Sequence, residues 1–377
     1  MNLVQPGTPA ELAQSLADAA ARGQAIRFGG NFTKDKMAGP LGSGDISIST
    51  RCLRSVLRYE PRDLTISVEA GLPYAEFRAL LAENRQMVPL DPPFAETATV
   101  GGVIAANHSG PRRRLFGSAR DLVIGMTFAT LEGKLVQSGG MVVKNVAGLD
   151  MGKLMIGSFG TLAAIAIVNF KLIPMPPESR TFVMQFPSAA AAIARRDEIL
   201  ASVLQPVAVD LVNPPSAARL GLEGFALLLQ AAGNAAVMHR YSRELADARA
   251  LEGDDEASLW QRVCEFTPSF LERQPAGAIA RVSAPLNEVQ AVVESVPGEA
   301  VARAGTGVCY AYLPDAEAAA RWTREALARG WRYVLEYSNA DLDRWPSPGS
   351  DFAMMERVKE MFDPQRLLNP GRLYGRI

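Results

Sequence analysis

The 377-residue sequence predicts an α+β fold in two lobes, and three observations carry that expectation. Up to about residue 175, short apolar strand patterns are punctuated by glycine: QAIRFGG, DLTISVEAGL, DLVIGMTFATLEGKLVQSGG and GTLAAIAIVNFKLIP. Pro174, Pro176 and Pro177 then mark a linker, because closely spaced prolines stop a helix. From 178 onward strand and helix patterns alternate, as in an open sheet, expected antiparallel, with helices covering one face. The expected division is residues 1–175, a smaller α/β cap lobe over 178–345, and a C-terminal segment, 350–377, that returns to the first lobe.

In chain order, Thr8 and Glu11 form a capping box, Pro9 suits the first helical position, and Leu12, Leu16 and Ala20 share one helix face. No basic leader precedes an apolar stretch, so no secretory signal is expected. Leu122, Ile124, Met126 and Phe128 alternate with smaller residues before the Glu132–Gly133 turn, which reads as a hairpin. The apolar run 160–174 is interrupted by Asn169 and Lys171 and falls short of the roughly 18 residues a membrane span needs, so it reads as buried strand.

The second lobe reads as strand RTFVMQF, an alanine-rich helix over 188–204, strands VAVDLV and FALLLQ, and a helix near 234–250. A charged helical stretch, 253–266, precedes AIARVS, a helix near 286–295, VCYAYL, a helix over 315–329 and WRYVLEY. After the loop YSNADLDRWPSPGS, the helix DFAMMERVKEMF leads to DPQRLLNPGRLY, a tail that needs a surface to dock on. No repeat of solenoid period is present.

Thirty-nine basic residues nearly balance 40 acidic ones, so no overall positive field exists to collect a nucleic acid. Cys52, Cys264 and Cys309 are too dispersed for a zinc ribbon or an iron–sulfur run, which points to reduced thiols and a cytoplasmic setting.

Four glycine clusters dominate the first lobe, and glycine lets backbone N–H groups approach a phosphate closely. Phe28-Gly29-Gly30-Asn31-Phe32-Thr33 follows a strand and suits an anion-binding nest, although a tight strand exit explains two glycines equally well. In Thr97–Gly110, preceded by Leu90-Asp91-Pro92-Pro93, two glycines enter a short apolar helix whose free N–H groups suit a diphosphate. Phe116–Asp121 and Gly157–Leu162 each introduce a buried strand. A G-x-G-x-x-G opening a helix and a G-x-x-x-x-G-K-[ST] loop are both absent, which disfavours a standard NAD-binding half and a nucleoside-triphosphate loop.

The succession GGNFT, DLTISVEAG, TVGGVIAANHSG, GSARDLVIG, KNVAGLDMGKLMIGSFGTLAAI and LLNPGRLY resembles the vanillyl-alcohol-oxidase and PCMH family of FAD enzymes. Within it, ANHSGPRRRLFGSARDLVIG and the short second lobe are most similar to the FAD-binding subunits of bacterial 2-hydroxy-acid oxidases. The resemblance implies a two-lobed PCMH-type FAD domain with a cap lobe, and it implies site residues. Gly29, Gly30, Asn31, Phe32 and Thr33 would cradle the pyrophosphate. Pro92, Thr99, Val100, Gly101 and Gly102 would line the flavin and its phosphates, and Asn107, Ser109 and Gly110 would continue that wall. Gly117 and Asp121 would shape the next loop, Gly160 and Ile165 would serve the adenine side, and Asn369 with Pro370 would bring the tail towards the isoalloxazine ring. A branched side chain at Gly30 or Gly101 is expected to displace the flavin.

FAD is expected to be non-covalent, since GGNFTKDKM holds neither histidine nor cysteine; His108 in the later segment reads as a tether or as a local polar contact. With only His108 and His239 in the chain, no metal site is expected, and no catalytic base is assigned. His239 lies in a predicted helix and reads as a surface residue. Arg112, Arg113 and Arg114 suit a carboxylate or phosphate, or equally a solvated loop or partner contact. Lys144 and Asn145 suit the flavin edge or a structural turn. Tyr310, Tyr312, Tyr333 and Tyr337 alternate along two strands, as packing requires, with one face available to cap the flavin.

The implied activity is oxidation of a small 2-hydroxy acid by FAD within a complex holding a paralogous flavin subunit and an iron–sulfur subunit. The complex is cytoplasmic or held at the inner membrane through partners. Alternatives are a flavin relay subunit that never meets substrate, and a stand-alone flavin oxidase of another small alcohol.

Overall fold

In the computed structural model, residues 2–39, 44–108, 110–142 and 149–377 are described. The chain divides into a first unit, Met1–His108, Gly117–Met175 and Ser347–Ile377, and a second, Ser109–Phe116 and Pro176–Pro346.

The first unit opens with β1 (Asn2–Val4), α1 (Pro9–Ala21), β2 (Ile26–Gly29) and β3 (Ile46–Ser49), whose strands pair in parallel in the order β1-β3-β2. The Thr8 hydroxyl accepts from the Glu11 amide at 3.1 Å, while the Glu11 carboxylate accepts from Gly7 at 2.8 Å, so the predicted box closes one residue early. Leu12 and Leu16 of α1 pack with Ile26, Ile48 and Leu368. There follow β4 (Val56–Glu60), β5 (Thr65–Glu69), α2 (Tyr74–Glu83), β6 (Gln86–Met87) and α3 (Val100–Ala106). The short α4 (Arg113–Phe116) clusters with the second unit, and the chain returns through α5 (Ala119–Leu122).

The hairpin of β7 (Val123–Ala129) and β8 (Leu135–Gly139) precedes α6 (Met151–Met155), β9 (Ala164–Lys171) and β10 (Ile173–Pro174). Five strands form an antiparallel sheet in the order β4-β5-β9-β7-β8. Central β9 is covered on both faces: Val168 and Phe170 join Tyr74, Phe77 and Val103, while Ala164 and Ala166 join the core under α1. A strand buried on both sides must be apolar without alternation, which is why 160–174 reads as one apolar run.

The second unit contains β11 (Glu178–Phe186), α7 (Ala189–Ala201), β12 (Ala208–Val212), α8 (Pro214–Arg219), β13 (Phe225–Gly233), α9 (Ala235–Glu244) and β14 (Arg249–Leu251). It continues with α10 (Gly253–Cys264), α11 (Phe266–Arg273), β15 (Ala278–Ser283), α12 (Val289–Ser295), β16 (Glu299–Arg303), β17 (Val308–Leu313), α13 (Ala316–Ala328) and β18 (Arg332–Tyr337). Its eight strands run in the order β14-β11-β13-β12-β16-β17-β15-β18, with every pairing antiparallel.

Alternation sends Phe182, Leu211, Ala280, Ala311 and Leu335 into one core with Ile193 of α7, Met238 of α9, Val292 of α12 and Trp322 of α13. The opposite face is not bare, which corrects the expectation of helices on one side only. Trp260 of α10 donates to the Thr181 hydroxyl at 2.7 Å, and the rings of Phe266 and Phe270 pack on Tyr312 at 4.9 and 5.2 Å. The buried Glu256 carboxylate accepts from Ser179, Thr181 and Gln230 at 2.7, 3.0 and 3.0 Å, pinning α10 to the sheet.

The tail returns to the first unit through α14 (Phe352–Phe362). Among the described residues no helix is long and apolar enough to cross a membrane.

Candidate functional site

Three stretches of the first unit line an open cleft. The first is the exit of β2. Asp35 forms an ion pair with Arg27, whose guanidinium lies 4.0 Å from the Phe32 ring centroid, so the loop folds back on itself with Phe32 at φ 55°. Ser49 donates to the Gly30 carbonyl at 2.7 Å, and the Asn31 amide donates to Thr97 O at 2.9 Å.

The second stretch is α3. Thr99 caps it, accepting from the Gly102 amide at 3.3 Å, and Gly101 N donates to Ala70 O at 2.7 Å. Ala105 and Ala106 keep the wall low. The third is the turn at 157–161, where Phe159 N donates to Ala105 O at 2.9 Å and Gly160 has φ 68°.

Of the residues singled out in the sequence, Gly29, Gly30, Asn31, Phe32, Thr33, Thr99, Gly101, Gly102, Gly160 and Ile165 line this cleft together. Others lie elsewhere. Val100 is buried in the core on the far side of α3, Pro92 is buried before it, and Asn107 ends the helix at φ 50° with its Oδ1 buried and lacking a hydrogen-bond partner. Asp121 caps α5, accepting from Ser118 N at 2.8 Å, beside Gly117 at φ 81°. Gly110 belongs to the segment that clusters with the second unit. Asn369 is buried behind the cleft walls. Ser109, Lys144 and Asn145 lie outside the described residues.

Sequence reading missed Lys34, Asp35, Thr50, Ala105, Ala106, Phe159 and Arg372, which also line the cleft. Arg372 donates to the carbonyls of Lys34 and Met37, lies 3.8 Å from Asp35, and sits 5.9 Å from the Phe159 ring centroid. Its place directly after Asn369-Pro370-Gly371 was the available signal. Lys34, Asp35 and Arg372 line the cleft beside clustered backbone amides, a set of groups that suits a diphosphate.

The glycines divide by what their missing side chains leave room for. A Cβ on Gly30 would fall inside the Thr99 side chain, and one on Gly101 would stand 2.7 Å from Ala70 Cβ. These two are therefore glycine because the scaffold packs there, a different cause from ligand clearance. A Cβ on Gly102 would meet only the Thr99 hydroxyl, at 3.1 Å, so this missing side chain keeps the cleft itself open. A backbone cradle with this opening and these groups fits the diphosphate side of FAD.

In the second unit, Arg303 pairs with Asp210, and Arg281 donates to Glu336 at 2.6 Å, on the sheet face that carries Tyr310 and Tyr312. Burial pushes the Tyr310 hydroxyl up to about 12 and raises that of Tyr312, so neither supplies a base at neutral pH. Burial also raises the Glu336 carboxyl, with the Arg281 charge opposing it. Tyr333 packs in the core on the other face. Arg114 donates to Pro206 O at 2.6 Å and packs on Gly305, so it ties α4 into its own unit. His239 is exposed on α9 and His108 is buried.

Two family descriptions match the chain: FAD binding domain, over residues 2–139, and FAD linked oxidases, C-terminal domain, over residues 347–373. Glycolate oxidase subunit GlcE of Escherichia coli (strain K12) is 30% identical over 342 residues, 88% of this chain and 88% of that protein. Glycolate oxidase subunit GlcD of Bacillus subtilis (strain 168) is 23% identical over 380 residues, 88% of this chain and 80% of that protein. The structure of 4-ethylphenol oxidase from Gulosibacter chungangensis superposes with a TM-score of 0.76 at 14% identity, covering 99% of this chain and 89% of that one, and so shares its fold.

Proposed function

This chain belongs to the FAD-linked oxidoreductase family that includes glycolate oxidase subunit GlcE, and from that membership we propose that it is the FAD-binding subunit of a 2-hydroxy-acid oxidase complex acting on glycolate or a close relative. The observation that carries the reading is the similarity to GlcE over 88% of both chains. FAD, when bound, supplies the two-electron acceptor for oxidation of a CH–OH group, the step a cofactor carries better than side chains. The chain's part is to hold and orient it. The amides around Gly29–Thr33 and the start of α3, with Lys34 and Arg372, would take the diphosphate. FAD is held non-covalently, since the first glycine loop carries neither histidine nor cysteine.

Electrons leave to a partner, because three dispersed cysteines give this chain no cluster of its own. A paralogous flavin subunit and an iron–sulfur subunit are the partners proposed. A second reading, in which the flavin relays electrons without meeting substrate, is favoured by one observation: the only two histidines are buried His108 and exposed His239.

The visible absorption spectrum of the purified chain under anaerobic conditions, before and after glycolate, tests both. Flavin bands that bleach support oxidation by this chain, bands that persist support the relay, and absence of flavin defeats the cofactor assignment.

A further inference from the structure

The two outer walls of the cleft come from residues about 130 positions apart, and a single side chain from the tail joins them. Asn369 is 1% exposed. Its Oδ1 accepts from Phe28 N at 2.8 Å, and its Nδ2 donates to Phe28 O at 3.0 Å and Phe159 O at 2.8 Å. Phe28 immediately precedes Gly29–Gly30, and Phe159 immediately precedes Gly160, so the amide grips each cleft wall at its root. A Cβ on Gly160 would stand 2.9 Å from Asn369 Nδ2 and 3.0 Å from Phe28 Cδ1, so the grip adds to its φ of 68° in calling for glycine at 160.

The tail that presents Asn369 is fixed from behind. Leu368 bridges in parallel to Ile26 of β2, with Ile26 N donating to Leu367 O at 2.7 Å and Asn369 N to Ile26 O at 2.9 Å. Lys359 of α14, fully buried, donates to Asp363 at 2.7 Å, Thr161 O at 2.7 Å and Leu368 O at 3.1 Å. Asp363 in turn accepts from Leu367 N and Leu368 N at 2.9 and 2.7 Å. Every donor and acceptor of the Asn369 amide is spent on backbone, and its side chain stays out of the cleft lining.

We propose that Asn369 is a positioning residue for the cofactor: its amide sets the gap between the Phe28–Gly30 wall and the Phe159–Gly160 wall, and thereby diphosphate affinity, without touching the ligand. The inference rests on the FAD reading above. It gives the tail, which the resemblance implies is brought towards the isoalloxazine ring by Asn369 and Pro370, a role at the roots of the diphosphate walls.

Asn369→Asp is the test, in the full chain stripped of flavin. An isosteric carboxylate keeps the bond from Phe28 N but turns an acceptor towards the Phe28 and Phe159 carbonyls unless it carries a proton. FAD and ADP affinities, titrated well below the unfolding temperature, are expected to fall together by about tenfold to a hundredfold, since one buried donor is lost. The defect should deepen as pH rises, because burial against two carbonyls holds the carboxyl protonated above its ordinary range. Ionisation of a buried carboxyl also lowers folding stability, so urea unfolding of the apo variant over the same pH range is measured beside the affinities, and an affinity loss where the fold is still intact is the expected result. Wild-type affinity in Asn369→Asp, or a loss with no pH dependence, overturns the proposal.

Gly160→Ala pushes the same amide from the other side and should weaken both ligands likewise; undiminished affinity there also overturns it. If the wild-type chain binds neither FAD nor ADP, the cofactor reading fails first. Wild-type binding with indifferent variants removes only the role of Asn369.

Discussion

Replacing Gly102 by alanine separates the needs of the cleft from those of the scaffold. The new methyl would meet only the Thr99 hydroxyl, at 3.1 Å, and otherwise stands in the cleft. Without ligand, alanine in a helix gains about 0.5–1 kcal/mol over glycine, partly offset as the Thr99 hydroxyl shifts, so the apo protein should unfold within about 1 kcal/mol of wild type. With ligand, one methyl in a fitted site costs about 1–3 kcal/mol, a weakening of FAD by about tenfold to a hundredfold. Gly101→Ala reverses the pattern. Its Cβ would stand 2.7 Å from Ala70 Cβ and 3.0 Å from Ala70 O, a backbone atom that cannot swing away, so about 1–3 kcal/mol of stability should be lost before any ligand is added. Urea unfolding of the apo proteins and fluorescence titration with FAD measure the two effects separately. Undiminished FAD affinity in Gly102→Ala, or unfolding as early as Gly101→Ala, would refute the assignment of this wall.

Lys359→Met should cost about 3–5 kcal/mol in urea unfolding, because it leaves the buried Asp363 carboxylate without its cation; a loss under 1 kcal/mol would mean the pair is dispensable. Glu299 sets an acid limb: burial pushes its carboxyl up, but hydrogen bonds and charge from Arg273 and Arg219 outweigh this and hold it below its ordinary value of 4.5. A depressed carboxyl contributes stability above about pH 4.5 that is lost as pH falls through the folded value, so Glu299→Gln should flatten the decline of unfolding free energy below pH 4.5, and an unchanged slope would count against the triad. His239→Gln, at an exposed helix position, should leave flavin content and the rate of reduction unaltered; a collapse in rate with flavin retained would make it functional.

Strands with strong periodicity or full burial were legible in the sequence, as β9, β13 and β17 show. What escaped was short or locally ambiguous. β16 is EAVAR, five residues of which four are small or charged and carry little strand preference, and it is a strand because β12 and β17 flank it. The glycine clusters were visible because each cradle segment is contiguous. The reason for each glycine was not, since it depends on which neighbour stands opposite: Thr99 for Gly30, Ala70 for Gly101, open cleft for Gly102. Arg372, and the partners of Asn369, escaped for the same cause. Their partners lie more than 200 residues away, and nothing in LLNPGRLY says which loop it will meet.

Charge divides the labour between the two units. In the first, Lys34, Asp35 and Arg372 line the cleft beside backbone amides, groups that suit a diphosphate. In the second, the buried cations of the polar sheet face are already matched, Arg303 with Asp210 and Arg281 with Glu336, and two tyrosines there stay protonated at neutral pH. A substrate carboxylate brought to those arginines would share each guanidinium with a carboxylate already bonded to it. The chain is best assayed both alone and with a candidate paralogous flavin subunit, since glycolate-dependent bleaching that appears only in the mixture would favour the relay reading over oxidation by this chain.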